Sequence, residues 1–323
     1  MSFNEKNKVL ARKHVADLRN ILYKEWIKDS IDKSVIYTDT DCLKVDYESN
    51  PVVQVKEIDV VSAVFEYADR NTAVLNFADY LEPGGGFMKG GEAQEESLCH
   101  ASTLYPVLAA HQEDYYDVNA QDVNGHLYTN KALYSPDILF IRERRKQKVD
   151  IITCAAPNLN RAQKSEKFNI TDNTNAMLSR IQFIMDVAGD NSIDTLILGA
   201  WGCGVFGQDV LEVARMFKYV ISTKCTVKNI IFAIRGSKTY NIFKNVFDNE
   251  EAMSITSAIV SYIEKSSSSG IIRVGDDVES PRLIFGHNGV ISDGELCTII
   301  SVHSDDLYDL RSKNGVEAYK VRL

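Results

Sequence analysis

The stretch from Pro83 to Tyr105 constrains this chain most. It reads Pro-Gly-Gly-Gly-Phe-Met-Lys-Gly-Gly-Glu-Ala-Gln-Glu-Glu-Ser-Leu-Cys-His-Ala-Ser-Thr-Leu-Tyr. Just ahead of it, Thr72 to Asn76 is a short β-branched and apolar run, the mark of a buried strand. Pro83 and the three glycines Gly84, Gly85 and Gly86 then exclude regular structure, and residues without a Cβ let a ligand approach the main chain. Beyond the loop Leu98, Ala101, Leu104 or Tyr105 and Leu108 recur at helical spacing, with Pro106 expected to kink or end the regular part. Gln94, Glu95 and Glu96 therefore fall at or near a helix N-terminus.

Two acids in a first helical turn can serve simply to complement the helix dipole, at about 0.3–1 kcal/mol each. The context of strand, triple glycine, second glycine pair and amide-acid-acid is more than capping requires. Adjacent helical residues point about 100° apart, so Glu95 and Glu96 cannot flank one sugar from opposite faces. Their roles must differ: one can accept hydrogen bonds from hydroxyls while the other protonates a leaving oxygen and then activates water.

A second glycine-rich loop has a similar setting. Thr195 to Leu198 is a β-rich run that feeds Gly199 to Gly207, and a helix is expected from near Gln208 or Asp209 to Ser222. Successive backbone N–H groups and a positive helix end can then face a pyrophosphate. The loop lacks the Lys-Ser/Thr of a Walker loop. Gly202, Gly204 and Gly207 have GxGxxG spacing, but late in the chain and without the acid expected about 20 residues on. A plain glycine-rich strand-to-helix turn is the alternative, as packing is for Phe206, which could otherwise stack on a ribose or base.

The remaining pattern supplies the frame. Residues 5–28 carry Val9, Val15, Leu18, Ile21, Leu22 and Trp26 as the stripe of one amphipathic helix. Val52 to Val55 is a first or edge strand, and Ile58 to Ala68 a helix or an irregular packed segment. The polar connection from Ala109 to Lys148 exceeds usual loop lengths, so it is either a hairpin insertion or a functional cover. The charged run Arg142 to Lys146 reads as a solvated turn, with contact to a ligand's phosphates as the alternative. Val149 to Cys154 and Ile230 to Ile234 are further strands, with a helix from about Asn173 to Ala188 between the first of these and Thr195. Strands alternating with helices predict an α/β fold with a mainly parallel sheet and ligands beyond the strands' carboxyl ends.

Lys265 to Gly270 has linker composition, and residues 271–323 follow as a small all-β, SH3-like module. Its expected strands are Ile271 to Val274, Leu283 to Phe285, Cys297 to Val302 and Tyr319 to Leu323. Residues 1–264 would be the main domain.

Charge and cysteine usage narrow the function. Among 323 residues, 36 basic against 45 acidic side chains leave a net charge of −9, which disfavours broad attraction to nucleic acid or anionic membrane. Six scattered cysteines without a CxxC pair, and six histidines without HxxxH, predict reduced thiols, no metal site and a cytoplasmic location. The N-terminus has no apolar signal core, and no run approaches a membrane span.

Gly84-Gly85-Gly86 followed by Gln94-Glu95-Glu96 resembles the signature loop of the macrodomain-type poly(ADP-ribose) glycohydrolases, in particular the shorter microbial group. Asn76-Phe77-Ala78, Tyr134-Ser135-Pro136-Asp137, Ala155-Ala156-Pro157-Asn158 and Gly199-Ala200-Trp201-Gly202-Cys203-Gly204-Val205-Phe206 resemble further family blocks in the family's order, across about residues 5–262. The resemblance implies a macrodomain-like three-layer α/β/α fold with an N-terminal helical extension, and no cofactor. It implies hydrolysis of the ribose–ribose bond of poly(ADP-ribose), with Glu96 as general acid and base. Glu95 and Asn76 would hold the distal ribose, Gln94 and Gly84 to Gly86 would shape the loop, and Gly199, Gly202, Cys203, Gly204, Val205 and Phe206 would line the diphosphate and ribose site. Removal of single ADP-ribose units from protein or nucleic acid, and binding of ADP-ribose without hydrolysis, remain the alternatives. The tail lies outside the resemblance, and binds a protein partner or docks on the main domain.

Overall fold

The computed structural model describes residues 3–39 and 50–248, together with the strand segments 277–279, 284–286, 289–291, 296–302, 307–312 and 317–322. Elements follow in chain order: α1 Phe3–Asp17, α2 Ile21–Lys33, β1 Val35–Thr38, β2 Val52–Glu57, α3 Val60–Tyr67 and β3 Thr72–Phe77. Next come α4 Gln94–Ala101, α5 Leu104–Ala110, α6 Asp117–Gln121, β4 Lys131–Arg142, β5 Arg145–Cys154, α7 Leu159–Ala162 and α8 Ile170–Asp190. Then β6 Thr195–Leu198, α9 Val210–Thr223, β7 Asn229–Ile234 and α10 Ser237–Asp248 complete the main body.

Seven strands form one mixed sheet in the order β1-β4-β5-β3-β6-β7-β2. The four pairings from β5 to β2 are parallel, while β1–β4 and β4–β5 are antiparallel. β3 occupies the centre and is buried on both faces, which explains why its sequence is a continuous apolar run. Ala73 and Leu75 face a cluster with Met177 and Ile184 of α8 and Phe217 of α9, whereas Val74 faces Ala63 of α3, Leu98 of α4 and Leu108 of α5. Successive side chains of one strand thus serve two cores, with helices on either side.

Several expectations shift in detail. The single helix expected over residues 5–28 is two helices. Leu18 to Asn20 form a turn, and the Asn20 carbonyl accepts from Tyr23 and Lys24 N–H, the position of an N-cap, which favours Asn. The expected stripe is also not wholly core: Leu18 is buried as expected, but Val9 and Trp26 are exposed, and Ala11, outside the stripe, is buried. The helix after the first glycine loop breaks before Pro106, at Ser102 and Thr103. Ser102 Oγ donates to the Leu98 carbonyl at 2.7 Å and accepts from Leu104 N–H at 3.1 Å, so the side chain competes with the helix ladder. Pro106 then sits in the first turn of α5, where its missing N–H has no role.

The 109–148 connection splits into short helical turns and a hairpin. β4 and β5 extend the central sheet, and the charged run lies exposed at their turn as expected. Val52 to Val55 falls in the edge strand β2. β1 and α10 are additions to the sequence reading, and α3 is helical where the sequence left a choice. In the tail, Asp277–Glu279, Leu296–Val302, Leu307–Ser312 and Glu317–Arg322 form an antiparallel sheet, and Ile284–Gly286 pairs with Gly289–Ile291. The expected linker at 265–270 and the strand at 271–274 lie outside the described residues. Among the described residues no helix is long and apolar enough to cross a membrane.

Candidate active site

β3 and β6 are parallel neighbours, so the loops that follow them emerge at the same sheet edge. Between them lies a cleft of about 810 Å³. Gly85, Gly86, Gln94, Glu95 and Glu96 line it from the first loop, and Gly202, Cys203, Gly204, Val205 and Phe206 from the second. Asn76, Gly84 and Gly199 stand behind its wall. Gly84 packs toward Tyr105 and Cys99, and Gly199 against Phe77 and the Ala233 carbonyl, so these two support the loops.

Gln94 explains how the first loop is held. The β3–β6 ladder runs only from Thr72 to Val74, yet β3 continues to Phe77. Gln94 Nε2 donates to the Leu75 carbonyl at 2.8 Å, and its Oε1 accepts from Phe77 N–H at 2.9 Å. The side-chain amide thereby takes the place of a strand residue opposite Asn76, satisfying backbone groups that β6 leaves open.

The two acids that follow are both buried, at 2% and 7% exposure, and their oxygens are used differently. Glu95 Oε1 accepts from Asn76 Nδ2 at 3.1 Å and its Oε2 from Asp79 N–H at 2.8 Å. Burial raises the Glu95 carboxyl to about 8, against the opposing pull of these two donors. Glu96 Oε1 accepts from Gly86 N–H at 2.7 Å, while its Oε2 is buried without a hydrogen-bond partner among the described residues. A buried carboxylate oxygen in that state, on a cleft wall, is an acceptor or proton donor held ready for a ligand. Asn76 Oδ1 is likewise buried and unpartnered.

Glycine is required where these carboxylates touch the loop. Gly85 has φ +55°, and a Cβ there would lie 2.9 Å from Glu95 Oε2 and 3.1 Å from Glu96 Oε1. A Cβ on Gly91 would come within 2.7 Å of Glu96 Oε1.

The second loop is anchored by polar side chains. Gln208 Nε2 donates to the Pro157 carbonyl at 2.9 Å and to Asn173 Oδ1 at 2.8 Å, and Gln208 N–H donates to the Gly202 carbonyl. Asn160 reaches the carbonyls of Val205 and Phe206 through its side chain and backbone. The buried Trp201 donates from Nε1 to the Cys154 carbonyl at 3.1 Å, tying the loop to β5. The N–H groups of Gly204, Val205 and Phe206 have no acceptor among the described residues.

The helix end offers less than the sequence suggests. Asp209 caps α9, accepting from Leu211 and Glu212 N–H, so its carboxylate already occupies the positive terminus. The groups left open at this loop are its amides. Phe206 packs near Tyr128, with ring centroids 6.3 Å apart, and Tyr128 stacks on Tyr80 at 4.0 Å.

Sequence reasoning missed Asp79, Trp201 and the Asn160–Gln208 clamp. Asp79 had a local signal: its carboxylate accepts from Leu81 and Glu82 N–H in an Asx turn, which an Asp three residues before Glu-Pro suggests. The clamp had none, because its partners come from distant elements. Among the described residues no group of acids, cysteines and histidines is arranged to hold a metal.

The fold and cleft define an α/β protein whose buried acid pair and glycine loop meet across two neighbouring strand ends. Residues 5–143 match the model for the microbial-type poly(ADP-ribose) glycohydrolase catalytic domain, a span that includes the Gly84–Glu96 loop. The resemblance read from the sequence is thus borne out. A poly(ADP-ribose) glycohydrolase from Thermomonospora curvata aligns at TM-score 0.67 and 23% identity, over 75% of this chain and 99% of that one. The same enzyme bound to the inhibitor ADP-HPD aligns at 0.65. The Deinococcus radiodurans enzyme in complex with ADP-ribose aligns at 0.60 and 28% identity, over 68% and 96%. No match was found among the curated proteins.

Proposed function

We propose that this protein hydrolyses the ribose–ribose glycosidic bond of poly(ADP-ribose), releasing ADP-ribose. The observation that carries this reading is the partnerless Glu96 Oε2, set beside Glu95 in a cleft whose other wall presents open loop amides. Glu96 donates its proton to the leaving ribose oxygen and then takes one from the attacking water. Glu95, gripped by Asn76 and Asp79, accepts hydrogen bonds from the distal ribose, and the Asn76 Oδ1 is left for a ribose hydroxyl. The loop amides of Gly204, Val205 and Phe206 hold the diphosphate. Its negative charge then lies near an oxocarbenium-like transition state and stabilises it. Burial pushes the Glu95 carboxyl up to about 8, so this acid holds its proton at neutral pH.

The fold is of the macrodomain type, supported by helices on both faces of the mixed sheet. Residues 1–264 form the catalytic unit, 265–270 a linker and 271–323 an SH3-like module that binds a protein partner or docks on the catalytic unit. Scattered cysteines without CxxC spacing fit a cytoplasmic location.

The experiment is chromatographic release of free ADP-ribose from polymer, from a mono-ADP-ribosylated protein and from ADP-ribosylated DNA. Release from polymer supports the proposal. Release only from a mono-modified substrate redirects it to mono-ADP-ribosyl hydrolysis, and binding of ADP-ribose without release of product defines a reader.

A further inference from the structure

A second cavity of about 580 Å³ opens beside the catalytic cleft, between α1 and the start of α4. Glu92, Ser97 and Arg235 line both cavities, so the two meet alongside Glu96. Its further wall carries Lys13 and His14 of α1 and His100 of α4, with Asn7 and Asp17. Asn7 Nδ2 donates to Glu92 Oε1 at 2.6 Å, which fixes that acid at the junction of the two cavities, and Lys13 and Arg235 are exposed with no ion-pair partner among the described residues. His14 Nε2 lies 2.8 Å from the Ser102 carbonyl, so that ring is anchored.

A polymer substrate needs such a second space. Once one ADP-ribose unit fills the main cleft, the oxygen protonated by Glu96 belongs to the next unit, whose own diphosphate must lie beyond that carboxylate. We propose that the cavity under α1 is the acceptor-side subsite, where Lys13 and Arg235 meet the diphosphate of the penultimate unit. This rests on the polymer reading above and extends it, since it assigns α1 a part in substrate selection. The bond broken is unchanged: the leaving unit departs with the proton from Glu96, and the cavity only holds it in place.

The test compares two substrates on the full chain. One is poly(ADP-ribose); the other is ADP-ribose carrying a p-nitrophenyl group at the anomeric carbon of its distal ribose, which has no second diphosphate. Lys13→Glu is expected to raise the polymer KM about 5–10-fold, as loss and reversal of a rim charge does, with the aryl substrate unaffected. Lys13→Arg should restore the polymer KM. An unchanged polymer KM, or equal loss on both substrates, overturns the inference while leaving the catalytic reading standing. A wild-type protein that cleaves neither substrate overturns both.

Discussion

Glu96 Oε1 accepts a hydrogen bond from the Gly86 amide at 2.7 Å across ten residues of loop, so the acid is positioned by backbone rather than by another side chain. Its second oxygen is thereby left free to act. A side chain with one oxygen fixed and one open can approach a bond in a single orientation, which is the geometric demand of general acid catalysis.

Replacing Glu96 by Gln keeps the Gly86 hydrogen bond available and removes the transferable proton. ADP-ribose release from polymer should fall by about 10²–10⁴-fold. Affinity for ADP-ribose, measured by calorimetry, should change little. Near-normal turnover in a folded variant would exclude the role.

Gly91→Ala tests the close approach directly. The new Cβ meets Glu96 Oε1 at 2.7 Å, and either the carboxylate or the loop must move. Because misplacement by about 1 Å costs on the order of 10² in rate, kcat should drop by at least tenfold. Circular dichroism should show the fold retained. A kcat within twofold of wild type would mean that the loop yields without disturbing the acid.

The buried Glu95 carboxyl makes stability depend on pH. Its folded value of about 8 lies above the unfolded value of 4.5, so the folded state binds the proton more tightly. This group's contribution is complete below pH 4.5 and is lost as pH rises toward 8, by roughly 5 kcal/mol in all. Urea unfolding at pH 5, 7 and 8.5 should show that decline. Glu95→Gln, which cannot ionise, should flatten it, and an equal slope in the variant would refute the assignment.

Gln94→Ala removes the amide that bridges Leu75 and Phe77 and leaves both backbone groups without their partner. The loss should be about 1–3 kcal/mol, read as a lower urea midpoint with an unchanged m-value. Gln94→Glu retains the acceptor but loses the donor to Leu75, and should fall between Ala and wild type. A stability equal to wild type in Gln94→Ala would show that water satisfies the strand end.

Much of this was legible in the sequence for local reasons. The run Thr72–Asn76 showed itself as a strand because both its faces are buried, and the glycines of each loop announced turns because other residues are excluded there. The alternation of strand and helix implied a parallel sheet. The breaks at Leu18–Asn20 and Ser102–Thr103 were not apparent, since both depend on which side chain or carbonyl captures a backbone group. The second loop's reliance on amides rather than on a helix end also escaped, because Asp209 could equally have pointed away.

Arg180 marks the boundary between the two kinds of information. By sequence it is one more basic residue in α8; in the structure it is 1% exposed and donates to the carbonyls of Leu127 and Ala155 and to Asn130 Oδ1. The chain by itself determined its strands, its glycine turns and the amide-acid-acid triplet, because periodicity and steric exclusion act between near neighbours. Tertiary structure alone decided that Gln94 completes a truncated ladder, that Arg180 is buried and that one oxygen of Glu96 is open. Those outcomes depend on which polar groups distant segments leave unsatisfied when they pack.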